Sequence, residues 1–127
     1  LDPKNETALR LMVAVLAAQG RDEEAKQYLA RLPDEQSLDA STQLNLGIMR
    51  YNEGKLEEAG AIFDRVLAQH PERAEAYYFS GLVKLNQEQH AAALERFQKF
   101  LELAPQHEKA AEAREFVTHL EQMAAKP

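Results

Sequence analysis

The sequence contains no cysteine and no tryptophan, and it has only five glycines and five prolines among 127 residues. Without cysteine the chain cannot form disulfides, use a thiol in catalysis or bind zinc through thiolates. Glycine and proline disfavour helix interiors, so their scarcity beside abundant Ala, Leu, Glu, Gln, Lys and Arg predicts an all-α protein. The absence of cysteine suits the cytoplasm and the periplasm equally, so composition leaves the compartment open.

Two classes of partner are disfavoured by other absences. The net charge is −6 and no cluster of Lys and Arg occurs, whereas nucleic-acid binding depends on basic patches that neutralise phosphates. No run of about 18 apolar residues is present, so we expect no membrane span. The sequence therefore predicts a soluble helical protein that binds neither nucleic acid nor the membrane interior.

Four residue types recur at one fixed spacing along the chain. The recurring pairs are Gly47 and Gly81, Ala59 and Ala93, Phe63 and Phe97, and Pro71 and Pro105. This pattern of small residue, Ala, Phe and Pro resembles the tetratricopeptide repeat, whose period of about 34 residues is the same. The resemblance implies an all-α fold, a right-handed superhelical α-solenoid of antiparallel helix pairs.

The period divides the chain into three repeats and a capping helix, seven helices in all. The repeats span about 6–39, 40–73 and 74–107, and an amphipathic capping helix spans about 108–125. The first repeat is atypical, because Val13 replaces the glycine and Leu29 replaces the phenylalanine. Leu1-Asp2-Pro3 matches the end of a preceding repeat, so we expect this chain to be a segment of a longer protein.

Small and aromatic residues at these spacings have structural roles. We expect Gly47 and Gly81 to lie where paired helices approach most closely, and Phe63 and Phe97 to fill the gap to the next first helix. The third turn lacks the glycine of the others, so Asn86 is predicted to take the left-handed conformation there.

The resemblance also implies a function, the binding of an extended peptide or a helix in a groove lined by the first helix of each repeat. Proteins of this family turn fixed positions of each repeat into the groove. Carried over to this sequence, the candidate contact residues are Arg10, Asn45, Ile48, Tyr51, Asn52, Tyr78, Leu82 and Asn86. A competing interpretation is that such side chains only pack neighbouring helices together, and it applies equally to Leu44, Leu82 and Leu85.

One subfamily can be tested residue by residue. Repeats that clamp the C-terminal carboxylate of large chaperones need basic and Asn residues at positions that here hold Arg10, Ala14, Asn45, Glu75 and Phe79. Two of the five fit, and Glu75 would repel a carboxylate, so we do not expect that ligand.

Arg50 and Lys84 replace the usual Tyr of the family, at equivalent points of two first helices. Their stems are predicted to pack while the charges reach water, with an acidic partner as the alternative.

No enzymatic chemistry is predicted. The four histidines do not pair at helical spacing, and neither a phosphate-binding glycine loop nor a Gly-x-Ser-x-Gly motif occurs. We therefore expect no cofactor, no metal and a protein or peptide as the partner. Two alternatives remain: a homo-oligomer that pairs through an uncovered Leu9, Met12 and Leu16 face, and a substrate-docking or regulatory tail of a larger enzyme.

Overall fold

The computed structural model describes residues 5–125 and folds them into α-helices joined by short loops. This part of the chain contains seven α-helices, one 3₁₀ turn at Glu35–Ser37 and no strand. The helices are α1 (Glu6–Ala18), α2 (Asp22–Leu29), α3 (Ala40–Asn52), α4 (Leu56–Gln69), α5 (Ala74–Asn86), α6 (His90–Leu103) and α7 (Ala110–Ala125). The predicted all-α fold with seven helices is confirmed.

The helices follow the period of the sequence. The first helices of the pairs begin at Glu6, Ala40 and Ala74, and each is followed by a short turn and a second helix. The members of each pair contact each other, and α6 contacts α7 in turn. Because α7 begins at Ala110, slightly more than one period after α5 begins, the last helix is a little out of register with the repeats.

The turn inside each pair has the same geometry. Each turn contains one residue with a positive φ angle, which is 73° at Gly20, 80° at Gly54 and 61° at Glu88. The N–H of the residue that follows donates at 2.9 Å to a carbonyl in the last turn of the first helix, as in a Schellman motif. The prediction that Asn86 is left-handed is wrong, since Asn86 ends α5 and the period selects position 88.

We expect Glu88→Gly to stabilise the fold by about 1 kcal/mol, because a residue with a Cβ is strained in the left-handed region and glycine is not. Urea unfolding monitored by circular dichroism measures the change. Gln87→Gly is the matched control, since Gln87 has a φ of −90° and loses stability on becoming glycine. If both variants are destabilised alike, Glu88 is not strained.

Glycine and phenylalanine pack against each other inside the second and third pairs. A Cβ placed on Gly47 would lie 2.5 Å from the Phe63 ring, and one on Gly81 would lie 2.8 Å from the Phe97 ring. The Phe63 ring also reaches the next first helix, where it stacks on Phe79 with 6.0 Å between centroids. This contact confirms the predicted gap-filling role.

The first pair departs from the other two. Its second helix has 8 residues, whereas α4 has 14, and a loop with the 3₁₀ turn leads to α3. Buried Leu32 and Leu38 hold this loop against the core, and the Gln43 side-chain amide donates to the Leu38 carbonyl at 2.6 Å. The loop thus replaces part of a second helix beside α3.

The uncovered face of α1 is not the one predicted. Leu9 and Leu16 are buried in the core of the first pair, whereas Leu11, Met12 and Val15 are the exposed large apolar residues of α1. The predicted Leu9, Met12 and Leu16 face is therefore wrong in two of its three members. Helical periodicity identified an apolar stripe, but α1 has apolar residues on two faces.

Candidate binding groove

The first helices of the three pairs lie side by side. α1 contacts α3, α3 contacts α5, and successive second helices approach one another less closely. A stack whose first helices lie closer together curves toward them, so α1, α3 and α5 form its inner wall. We call the concave surface formed by these three helices the groove. The candidate contact residues belong to these helices.

Tyr51 of α3 and Asn86 of α5 are joined across the groove. The Asn86 Nδ2 donates to the Tyr51 hydroxyl at 2.9 Å and to the Leu82 carbonyl at 2.8 Å. Both N–H groups of this amide are therefore used within the protein. What Asn86 and Tyr51 still offer a ligand is the amide oxygen as an acceptor and the hydroxyl hydrogen as a donor.

Two further amides of α3 are not engaged. Asn45 is half-buried and Asn52 is exposed, and neither side chain bonds another residue in the part of the chain that the structure describes. An unengaged amide can both donate to and accept from a peptide backbone. Asn45 and Asn52 therefore retain the contact potential that the sequence predicted.

Tyr78 lies in the core and not on the groove surface. It is 2% exposed, and its ring lies edge-on to Phe79 at 5.3 Å and to Phe97 at 5.8 Å. Burial and then the hydrogen bond to Glu112 raise the pKa of the Tyr78 hydroxyl, so it stays protonated. Its predicted contact role is wrong, because α7 covers the position.

The aliphatic candidate residues of the groove mainly pack against the hydrophobic core. Ile48 and Leu82 are half-buried against the clusters of the second and third pairs, and Leu85 is similar. Leu44 is buried. For Leu44 the packing interpretation therefore holds, while Ile48 and Leu82 keep a partly exposed apolar surface beside the amides.

Arg10 lies at the α1 end of the groove. Its guanidinium is 3.6 Å from the Glu6 carboxylate and donates to the Thr7 hydroxyl at 3.3 Å. Both partners belong to the first turn of the same helix, so the cation is not tied to another helix. A small cleft beside Arg10 is lined by Leu11, Ala14 and the loop before α3.

The two cations that replace the usual tyrosines differ from each other. Arg50 is largely buried and lies 3.0 Å from a Glu35 oxygen and 3.9 Å from a Glu58 oxygen. It therefore ties the loop before α3 to α4. Lys84 is half-buried, and none of the ion pairs among residues 5–125 includes it.

Neither metal nor membrane features are found in the described chain. Residues 5–125 hold no group of three or more His, Asp or Glu side chains suited to a metal ion. Over the same residues, none of the helices is both long enough and apolar enough to span a bilayer. His107 is used locally, since its Nδ1 accepts from the Lys109 N–H at 3.1 Å at the start of α7.

The predicted capping helix corresponds to α7, at Ala110–Ala125, and it packs on the third pair. The Lys109 Nζ lies 5.5 Å from the Tyr78 ring centroid, and Phe116 stacks on Phe97 at 4.9 Å. Phe116 follows Phe79 by one period and nearly one helical turn more. The sequence predicts this capping helix, and only the structure shows that Tyr78 and Phe97 lie against Lys109 and Phe116.

Comparison with known proteins identifies the repeats. Models of the tetratricopeptide repeat match residues 41–73 and 74–107, together more than half of the chain. A stretch of 77 residues is 36% identical to the probable biofilm formation methyltransferase WspC of Pseudomonas putida. That match covers 60% of this chain and 18% of the methyltransferase, so the chain corresponds to less than a fifth of this relative.

Two solved structures of MamA are also similar to the chain. A mutant of MamA has a TM-score of 0.48 and 19% identity, and the match covers 98% of this chain and 91% of MamA. MamA MSR-1 has a TM-score of 0.46 and 17% identity, with 94% and 98% covered.

Proposed function

Because this chain belongs to the tetratricopeptide repeat family, we propose that it binds a peptide or a helix of a partner protein in the groove of α1, α3 and α5. Binding is reversible, and the chain acts as an adaptor or scaffold that makes and breaks no covalent bond. The observation that carries this proposal is the pair of unengaged amides, Asn45 and Asn52, on an otherwise packed wall.

The wall suits a peptide backbone. Each unengaged amide can accept one backbone N–H and donate to one backbone carbonyl. The Tyr51 hydroxyl and the Asn86 amide oxygen add one donor and one acceptor, and their mutual hydrogen bond holds them in place. Ile48 and Leu82 supply partly exposed apolar surface for side chains of the ligand.

The test is capture of partners from a lysate with wild-type chain and an Asn45→Ala, Asn52→Ala variant as bait. We expect the variant to lose most of the captured partner, because two backbone-pairing groups are removed at about 1 kcal/mol or more each. Circular dichroism should be unchanged, since neither amide supports the fold. Tyr78 is unsuitable for this experiment because its loss would damage the core.

Gln69→Ala, Gln98→Ala is the matched control, because these two amides are exposed on second helices, outside the groove. We expect it to capture partners like the wild type. A partner captured equally by the groove variant and the control would place the binding site elsewhere on the protein.

A second candidate function is favoured by the methyltransferase relative. The chain matches 18% of that protein, which is the size expected of a repeat segment attached to a catalytic domain. On this proposal the repeats are the substrate-docking or regulatory part of a larger methyltransferase. An antibody against the chain should then precipitate a larger protein that transfers labelled methyl groups. A precipitate without this activity contradicts the second candidate and leaves the groove proposal standing.

A further inference from the structure

His107 lies in the connection between α6 and α7, which is longer than the connection at the same point of the previous pair. Residues 70–73 join α4 to α5, whereas residues 104–109 join α6 to α7. The His107 side chain is 24% exposed, and its ring lies edge-on to the buried Phe100 ring with 5.3 Å between centroids. The imidazole is therefore held at the joint between the third pair and α7.

One ring nitrogen of His107 caps the start of α7. Its Nδ1 accepts from the Lys109 N–H at 3.1 Å, two residues further along the chain. Asn5 does the same for α1, where its side-chain oxygen accepts from the Thr7 N–H at 3.0 Å. Within the described part of the chain, the N-cap residues of α2 to α6 make no such bond. A side chain that binds a free N–H at a helix start stabilises that end, so His107 secures the start of α7.

The other ring nitrogen faces a carboxylate. Because Nδ1 accepts a hydrogen bond, the neutral ring carries its proton on Nε2. This Nε2 lies 3.9 Å from a carboxylate oxygen of Glu75, in the first turn of α5. His107 therefore has one nitrogen toward α7 and one toward α5.

The remaining charged groups around the joint point elsewhere. Glu108, next to His107 in the chain, is exposed. The Lys109 ammonium lies over the Tyr78 ring, at 5.5 Å from its centroid. On α7 the Arg114 guanidinium donates to the Pro105 carbonyl at 2.6 Å, and α6 packs the uncharged Phe100 ring against His107. Glu75 is therefore the carboxylate placed to receive a positive charge on the His107 ring.

We propose that His107 is a pH-sensitive joint between the third pair and α7, and that it exchanges its partner when the ring gains a proton. Both nitrogens of an imidazolium are donors, so Nδ1 can no longer accept from the Lys109 N–H. The charged ring pairs instead with the Glu75 carboxylate through Nε2. Histidine is the side chain that changes charge between about pH 5 and 8, so mild acidification is the signal.

The start of α7 carries the effect to Tyr78. Lys109 lies over the Tyr78 ring, and Glu112 bonds the Tyr78 hydroxyl. Loss of the cap loosens this cover, while the rest of α7 stays docked because Phe116 stacks on Phe97. Pairing also neutralises Glu75 on α5. The inference rests on the contacts of the joint and does not depend on the proposed function.

The test is nuclear magnetic resonance of the isotope-labelled chain between about pH 8 and about pH 5. We expect the imidazole signals to show an unprotonated Nδ1 at the higher pH. The Lys109 amide signal and the Glu75 carboxyl signal should then move together with protonation of the ring. Solvent exchange of the Lys109 amide, corrected for its intrinsic pH dependence, should become about threefold to tenfold faster.

An unmoved Lys109 amide signal during protonation of the ring would overturn the capping role. An unmoved Glu75 carboxyl signal would overturn the exchange of partners. A ring that stays neutral down to about pH 5 would overturn the switch itself.

His107→Asn separates the acceptor from the charge. An asparagine oxygen can accept the same N–H, as Asn5 does at α1, and it does not titrate. We therefore expect the Lys109 amide of this variant to stay protected over the whole pH range. A pH response that persists in His107→Asn would assign it to another group and contradict the proposal.

His70→Asn is the matched control, because His70 lies in the previous connection, is exposed and has its Nδ1 3.6 Å from Glu72. We expect this variant to respond to pH like the wild type. The helical circular-dichroism signal should stay constant over the range in all three proteins. A fall in that signal would show unfolding of the whole chain and would overturn a local joint.

Discussion

Replacing Phe97 by alanine is expected to lower the free energy of unfolding by about 3–5 kcal/mol. The ring is fully buried and touches three neighbours, which are Gly81 of α5, Tyr78 of α5 and Phe116 of α7. Its removal leaves a cavity that the surrounding helices cannot fill, because Gly81 has no side chain to move into it. Urea unfolding followed by circular dichroism measures the loss.

Leu103→Ala is the control for this prediction, since Leu103 lies on the same helix and is exposed. We expect it to change the stability by no more than about 0.5 kcal/mol. A Phe97→Ala variant as stable as the Leu103→Ala variant would mean that Phe97 does not join α6 to its neighbours.

Introducing valine at Gly47 is expected to destabilise the fold by about 1–3 kcal/mol through overpacking. The new Cβ would lie 2.5 Å from the Phe63 ring, so the ring or the helix must move. The first pair shows how the conflict can be relieved. It holds buried Val13 and Leu29 where the second pair holds Gly47 and Phe63, so a larger side chain on one helix is matched by a smaller one on the other.

Phe63→Leu should therefore compensate Gly47→Val in part. In a double-mutant cycle, we expect the double variant to be more stable than the sum of the single effects by about 1 kcal/mol or more. Chemical unfolding of the four proteins provides the cycle. Additive effects would show that the two positions do not share one packing space, and the comparison with Val13 and Leu29 would then be misleading.

The fold could be predicted largely because it is periodic. Once Gly47, Ala59 and Phe63 are matched with their counterparts one period later, the positions of six helices follow from local turns that are alike. The prediction was wrong where the period alone was not enough. The left-handed residue of the third turn is Glu88, although Asn86 is chemically better suited to that conformation.

The groove was harder to predict than the fold, because exposure depends on neighbouring helices. Asn45 and Asn52 stay accessible on α3, where no other described element covers them. Tyr78 occupies a groove position of α5, yet Lys109, just before α7, and Glu112 of α7 lie against it. A residue's place in the repeat therefore predicts its direction but not what lies in front of it.

By itself the sequence determined the helices, their pairing and the Gly and Phe positions of the core, because these depend on residues close together in the chain or one period apart. Only the tertiary structure decided that Tyr78 lies in the core and that Leu11, Met12 and Val15 are exposed to solvent. It also decided two polar contacts: Asn86 donates a hydrogen bond to Tyr51, and Arg50 pairs with Glu35 and Glu58. The physical reason is that burial depends on what packs in front of each residue. A periodic sequence describes each repeat alike, whereas α7 lies slightly out of register and adds contacts that the period does not contain.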